Sequence, residues 1–125
     1  MAEPLTTEET ATTDTAVESF LQHLNIDRGA SPYTQRNYRL ALTEFCRWHR
    51  TERQQSPAWA ALQRDDFRAY LRFLGRNKCG RASIQLRFSA LRSFYKFLIR
   101  RGETQVSPIK NLALPKLEKR LPKFL

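Results

Sequence analysis

Apolar residues recur at helical spacing in four separate stretches of this chain, and polar residues fill the positions between them. The stretches predict α-helices at about residues 14–27, 31–52, 64–77 and 82–101. Apart from Pro32, which stands at a helix beginning, the prolines fall outside these stretches, which is typical of a helical bundle. The pattern therefore predicts an all-α domain.

Residues at the ends of the predicted helices favour the same boundaries. Asp14 and Ser31 are good N-caps, and Pro32 stands at the favoured first helical position. Gly29 and Gly102 suit the C-terminal ends of the first and fourth helices. The fourth helix is expected to be the most buried of the four, and Leu86 is expected to widen its buried stripe.

The segments outside the four helices differ in composition. Residues 1–13 are rich in Thr and Glu and predict a disordered acidic tail. Ser107 and Pro108 predict a short fifth helix that ends near residue 112. Residues 113–125 hold two prolines and four basic residues, which predicts an extended basic linker. The predicted domain therefore spans residues 14–112.

Charge is distributed unevenly along the chain, whose formal net charge is +10. Residues 1–27 hold six acidic and no basic residues, so residues 28–125 hold 22 basic against six acidic ones. Sixteen of the 22 are Arg, whose planar guanidinium suits phosphates and guanine edges. This excess indicates a polyanionic partner, with nucleic acid as the first choice and a merely soluble surface as the alternative.

Several other function classes find no support in the residues. Two isolated cysteines and two isolated histidines give neither a disulfide framework nor a metal site, and nothing indicates a cofactor. No apolar run is long enough for a membrane span, and the N-terminus lacks the features of a signal peptide. The expected location is the cytoplasm, in association with the nucleoid.

Two stretches, taken together, resemble the N-terminal core-binding domain of tyrosine recombinases, the phage integrase family. Residues 31–39 (SPYTQRNYR) match the opening of the second helix of that domain, and residues 82–95 (ASIQLRFSALRSFY) resemble its fourth helix. Pro108, Pro115-Lys116 and residues 120–123 (RLPK) resemble the linker to the catalytic domain. The likeness covers about residues 16–125 and is greatest to the Xer branch, to XerC more than to XerD.

The resemblance implies a four-helix orthogonal bundle of the SAM-like type. It also implies that the domain lies on one face of a recombination half-site in double-stranded DNA, with the second and fourth helices towards the major groove. The linker would cross to the catalytic domain, and the first helix and the segment after the fourth would meet other subunits in a tetrameric synapse. Strand cleavage belongs to the catalytic domain, so this chain by itself is not expected to be an enzyme. Chromosome dimer resolution, phage integration and movement of a mobile element all stay open as roles of the whole protein.

Candidate DNA contacts follow from two helix beginnings, which are expected to lie side by side in the groove, and from the linker. Backbone N–H groups at a helix start bind phosphate. At the start of the second helix the candidates are Thr34, Gln35, Arg36, Asn37 and Arg39. At the start of the fourth they are Lys78 and Arg81 for phosphate, Ser83, and Gln85 and Arg87 for base edges. On the linker they are Lys116, Lys119, Arg120 and Lys123.

Two other functions are weighed against DNA binding. A helical protein-interaction module could use the same basic surface to bind an acidic partner without DNA. An enzyme in its own right would need an acid, base or nucleophile cluster, and none can be assembled from the sequence.

Overall fold

The computed structural model describes residues 14–115, which form four α-helices and no strand. The helices are α1 (Thr15–Ile26), α2 (Pro32–Arg53), α3 (Arg64–Arg76) and α4 (Arg81–Arg100), and a single 3-10 turn, Trp59–Ala61, lies between α2 and α3. The four predicted helices are confirmed to within one or two residues at each end. The predicted tail at residues 1–13 and linker residues 116–125 lie outside the described residues.

The helix ends form as the sequence predicts. Asp14 Oδ1 accepts a hydrogen bond from the Val17 N–H at 3.1 Å, and Ser31 Oγ accepts one from the Thr34 N–H at 3.1 Å. Each cap satisfies a backbone donor that the helix itself leaves without a partner. Gly29 takes the left-handed conformation, with φ of 57°, and ends the first helical segment.

Aromatic rings join the four helices in one core. Phe45 of α2 stacks on Phe67 of α3 with ring centroids 5.1 Å apart, and it meets the edge of Tyr70 at 4.9 Å. Phe20 of α1 contacts Phe94 of α4 at 5.5 Å. Because these rings are completely or almost completely buried, α3 is held to the other helices through the same apolar interior.

The ring and polar contacts also fix the directions of the helices. Gln35 at the beginning of α2 bonds Asn25 at the end of α1, and Arg39 further along α2 pairs with Glu18 nearer the beginning of α1, so the two helices run in opposing directions. His23, also near the end of α1, lies 5.1 Å from Phe97 near the end of α4. The beginning of α2 therefore lies near the end of α4, not near its beginning.

The short fifth helix predicted after Pro108 is instead a pair of turns. The Lys110 N–H donates to the Ser107 carbonyl at 3.3 Å, and the Leu112 N–H donates to the Ile109 carbonyl at 3.1 Å. Asn111 adopts a left-handed conformation, with φ of 66°, which stops a helix from continuing. Ile109 is completely buried, so this segment is anchored on the core without being helical.

Within residues 14–115, none of the four helices combines the length and the apolar character that crossing a bilayer requires.

Candidate nucleic-acid interface

The first turns of α2 divide the predicted contact residues into outward and inward groups. Arg36 is exposed, and its guanidinium lies 5.7 Å from the ring centroid of Tyr33, itself 66% exposed. Asn37 is half-buried on the neighbouring side of the helix. Thr34 Oγ1 accepts a hydrogen bond from Ser31 Oγ at 3.1 Å and so belongs to the helix cap. Arg36 is thus the member of this group most open to an external phosphate.

Gln35 and Arg39 face α1. Gln35 Nε2 donates to the Ala30 carbonyl at 2.8 Å, and Arg39 donates to both carboxylate oxygens of Glu18 at 2.7 and 3.2 Å. These bonds tie α2 to α1 and its connecting loop. The sequence nominates both residues as DNA contacts, but in the structure their donors serve the helix pair.

The turn between α3 and α4 presents two basic side chains. Lys78 has φ of 59° and is exposed, and Arg81 is the exposed first residue of α4. Backbone N–H groups of the first turn of a helix attract anions. Both positions therefore agree with the phosphate contacts that the sequence predicts.

Arg87, a predicted base-reading residue, is bound inside the protein. Its Nε and Nη2 lie 2.8 and 2.7 Å from Glu44 Oε2 of α2, and its Nη1 donates to the carbonyl and hydroxyl oxygens of Ser83. Partial burial is the largest single influence on the pKa of Arg87 and acts to lower it, but the charge and hydrogen bond of Glu44, together with Cys79 and Tyr70, raise that pKa above the usual value. Arg87 and Ser83 thus join α4 to α2.

Gln85, the other predicted base-reading residue, contacts the end of the described chain. Its Nε2 donates to the Pro115 carbonyl at 2.8 Å. The amide group is therefore occupied by a backbone acceptor 30 residues further along. The four linker candidates, Lys116, Lys119, Arg120 and Lys123, lie outside the described residues.

The expectation that the two helix beginnings lie side by side is wrong. α2 and α4 meet at the Glu44–Arg87 ion pair. At a rise of 1.5 Å per residue, Glu44 lies about 18 Å along the helix axis from Pro32, the first residue of α2. Arg87 lies about 9 Å along the axis from Arg81, the first residue of α4. Because the two helices run in opposing directions, their beginnings point to opposite ends of the pair.

Arg36 nevertheless lies on a side of α2 next to the side that contacts Arg87 of α4. Eight residues separate Arg36 from Glu44, the partner of Arg87, which corresponds to about 12 Å along the helix and about 80° around it. The two predicted contact regions therefore adjoin along the length of the α2–α4 pair, although the helix beginnings themselves are far apart.

Comparison with known proteins places this geometry in a family. The family model described as "Phage integrase, N-terminal SAM-like domain" matches residues 17–102, which is more than half of the chain. The chain belongs to this family. It is 37% identical over 109 residues to the tyrosine recombinase XerC of Oceanobacillus iheyensis and 38% identical over 109 residues to XerC of Bacillus subtilis. Each of these alignments covers 87% of this chain and 35% of the relative.

The XerD of Oceanobacillus iheyensis is 31% identical over 110 residues, 88% of this chain and 37% of the relative. The chain therefore spans about a third of the length of the curated relatives that it matches. No solved structure gives a significant match. The predicted all-α SAM-like fold and the likeness to Xer recombinases are confirmed by these findings.

In this SAM-like domain, the outward sides of α2 and α4 form one continuous surface that the sequence reasoning missed. Buried Ala41 and Ala90 lie on the sides by which α2 and α4 approach each other, and the residues just outside that seam are exposed or half-buried. We call this region the α2/α4 surface. Its described residues are Arg36, Asn37, Leu40, Glu44 and Arg47 on α2 and Leu86, Ser89, Ser93 and Lys96 on α4.

Leu86 is the main correction among these residues. The sequence places it on the buried stripe of α4, yet its side chain is 39% exposed. Leu40 of α2 is exposed to a similar extent, at 41%. At 100° per residue Leu86 lies about 160° from Phe88, which is fully buried, but only about 20° from Phe97, which is 8% exposed, so it stands at the edge of the core stripe and helical spacing alone does not predict its exposure. A leucine exposed on such a surface can contact the methyl group of thymine.

No group of three or more His, Cys, Asp or Glu side chains is arranged to hold a metal ion within residues 14–115.

Proposed function

We propose that this chain is the DNA-binding module of a Xer-like site-specific tyrosine recombinase, and that its α2/α4 surface faces the major groove of a recombination half-site. One observation carries the proposal: this surface holds three exposed basic side chains, Arg36, Arg47 and Lys96, and the charge of its one acidic residue, Glu44, is neutralised by Arg87. A duplex approaching the surface meets an excess of positive charge.

The residues of the surface divide between positioning and reading. The basic side chains of the surface are suited to contact phosphate: Arg36, Arg47 and Lys96. Lys78 and Arg81, at the turn before α4, are suited to the same contact. Asn37, Leu40, Leu86, Ser89 and Ser93 form the centre, where amide, hydroxyl and methyl groups can meet base edges. Phosphate contacts supply affinity, and the central groups supply preference among sequences.

The larger assembly is part of the same proposal. The relatives are named tyrosine recombinases and are about two and a half times as long as this chain. Cleavage and rejoining of strands would then belong to a catalytic domain outside this chain, reached through the basic linker. Other recombinase subunits would join in a tetrameric synapse, and the cell compartment would be the cytoplasm.

The salt dependence of duplex binding tests the proposal. If about five phosphates are neutralised, the logarithm of the association constant falls with the logarithm of salt concentration at a slope of about −4 to −5. Fluorescence anisotropy on a 25-base-pair duplex, titrated from low to physiological salt, measures this slope. An affinity that ignores salt, or one that heparin does not abolish, contradicts DNA binding through this surface.

A pull-down separates DNA binding from the protein-interaction alternative. Immobilised random-sequence duplex should retain the chain, and soluble heparin should release it. Retention on an acidic protein with none on duplex would favour the alternative. Incubation with supercoiled plasmid should leave the DNA uncut, because no catalytic cluster accompanies the surface in residues 14–115.

A further inference from the structure

The chain that follows α4 turns back and runs along that helix. Arg64 Nη2 donates to the Lys110 carbonyl at 3.1 Å, Arg92 Nη2 to the Leu112 carbonyl at 3.5 Å and Gln85 Nε2 to the Pro115 carbonyl at 2.8 Å. We call residues 103–115 the return segment. Its carbonyl groups are thus held by side chains of both α3 and α4.

The spacing of these contacts shows the direction of the return segment. Arg92 and Gln85 are seven residues apart, about 10 Å along an α-helix. Their partners, Leu112 and Pro115, are three residues apart, about 10 Å in extended chain. Because the two lengths agree while the residue numbers run in opposite directions, the segment is extended and antiparallel to α4.

Apolar contacts fix the same segment to the core. Ile109 is completely buried and Leu112 is 6% exposed, and Leu114 packs partly buried against the same core. The polar bonds therefore do not have to hold the segment by themselves. What the Gln85 bond adds is the position of its last described residue, Pro115, beside the first turns of α4.

We propose that Gln85 is a positioning residue, which sets the point and direction at which the basic linker leaves the domain. This inference rests on the proposed function, because Pro115, the last described residue before the basic residues of the linker, lies beside the first turns of α4, next to the DNA-facing α2/α4 surface. By helical geometry Gln85 and Arg92 lie 100° or more from Leu86 around α4 but within about 40° of Lys96, which is exposed, so the return segment runs along the Lys96 edge of the α2/α4 surface. Gln85 thus acts on DNA through the linker and reads no base.

Replacing Gln85 by Met tests this assignment, because Met has nearly the same length and no donor or charge. The matched control is Gln35→Met, which removes the same kind of amide-to-carbonyl bond at the α1–α2 loop. One neutral hydrogen bond contributes on the order of 1 kcal/mol, so opening of the return segment should become about two- to tenfold more frequent. Tryptic cleavage after Lys110 should accelerate by that factor in Gln85→Met and stay unchanged in Gln35→Met.

The second measurement uses DNA. Wild type and both variants are incubated with a pool of duplexes carrying a randomised central segment, and the bound fraction is sequenced. Gln85→Met should bind about two- to threefold more weakly with the same preferred bases, because the linker is less often in place while the reading surface is intact. A changed base preference at one position would show that Gln85 is a base reader and overturn the proposal.

The two measurements separate failure of this inference from failure of the proposed function. If the wild-type chain does not bind duplexes, the proposed function fails, while the cleavage rates still decide whether Gln85 holds the return segment. If cleavage after Lys110 is equal in wild type and Gln85→Met, the positioning role is wrong whatever the DNA result.

Discussion

The beginnings of α2 and α4 hold similar residues, yet the structure uses them differently. At α2, Arg36 is exposed above Tyr33 and has no carboxylate partner among residues 14–115. At α4, Arg87 is surrounded by Glu44 and Ser83, and Gln85 is bound to the Pro115 carbonyl. The chemical type of a side chain is therefore a poor guide to its role. What decides is whether the fold brings an acceptor to it.

The acceptors come from distant parts of the chain. Glu44 precedes Arg87 by 43 residues, and Pro115 follows Gln85 by 30. A guanidinium in a partly desolvated ion pair is unavailable to guanine unless DNA supplies an equal replacement. This difference predicts that substitutions at the two arginines have opposite signatures, one on stability and the other on DNA binding.

The largest expected effect is on stability, from Arg87→Met. The substitution leaves the Glu44 carboxylate without its partner at a partly buried site, so the free energy of unfolding should fall by about 1–3 kcal/mol. Urea denaturation followed by circular dichroism measures the loss. The double variant Arg87→Met, Glu44→Gln should recover part of it, because no charge is then left unpaired. An Arg87→Met protein as stable as wild type would show that the ion pair contributes nothing to the fold.

The helices could be predicted from sequence because their determinants are local. The caps at Asp14 and Ser31 and the apolar spacing of α4 act within a few residues, and the structure has them where the sequence places them. The fold family was also accessible, since the motifs at residues 31–39 and 82–95 stand in the expected order.

The candidate site was less accessible, because it depends on pairings between helices. Nothing local distinguishes Arg39, which pairs with Glu18, from Arg36, which lies over the ring of Tyr33 instead. The direction of α4 relative to α2 also depends on contacts between distant residues. The expectation that the two helix beginnings lie side by side was wrong because the two helices run in opposing directions. The exposure of Leu86 was not accessible either, because the helical angle places it only about 20° from Phe97, which is buried.

A smaller effect, on DNA binding, is expected from Arg36→Gln. The exposed side chain carries no intramolecular ion pair, so the free energy of unfolding should change by less than about 0.5 kcal/mol. Loss of one phosphate contact should weaken duplex binding about two- to fivefold and make the salt slope less steep by about one. Anisotropy titrations at several salt concentrations measure both quantities.

Arg72→Gln is the matched control for Arg36→Gln. Arg72 is also exposed on a helix, but it lies on α3, outside the α2/α4 surface. If both variants lose the same affinity, binding follows net charge alone, and the α2/α4 surface has no special place in it.

The smallest expected effect concerns selectivity, from Leu86→Ala. Because the side chain is 39% exposed, its truncation removes little buried area and should lower the free energy of unfolding by less than about 1 kcal/mol. If the leucine meets a thymine methyl group, the variant should lose about twofold of its preference for thymine at one position of a randomised duplex. Ile99→Ala supplies the control, since Ile99 is 37% exposed on the same helix but turned away from the α2/α4 surface. If wild type and Leu86→Ala have the same base preference, the apolar residue at the centre of the α2/α4 surface contacts no base. The surface would then contact phosphate only.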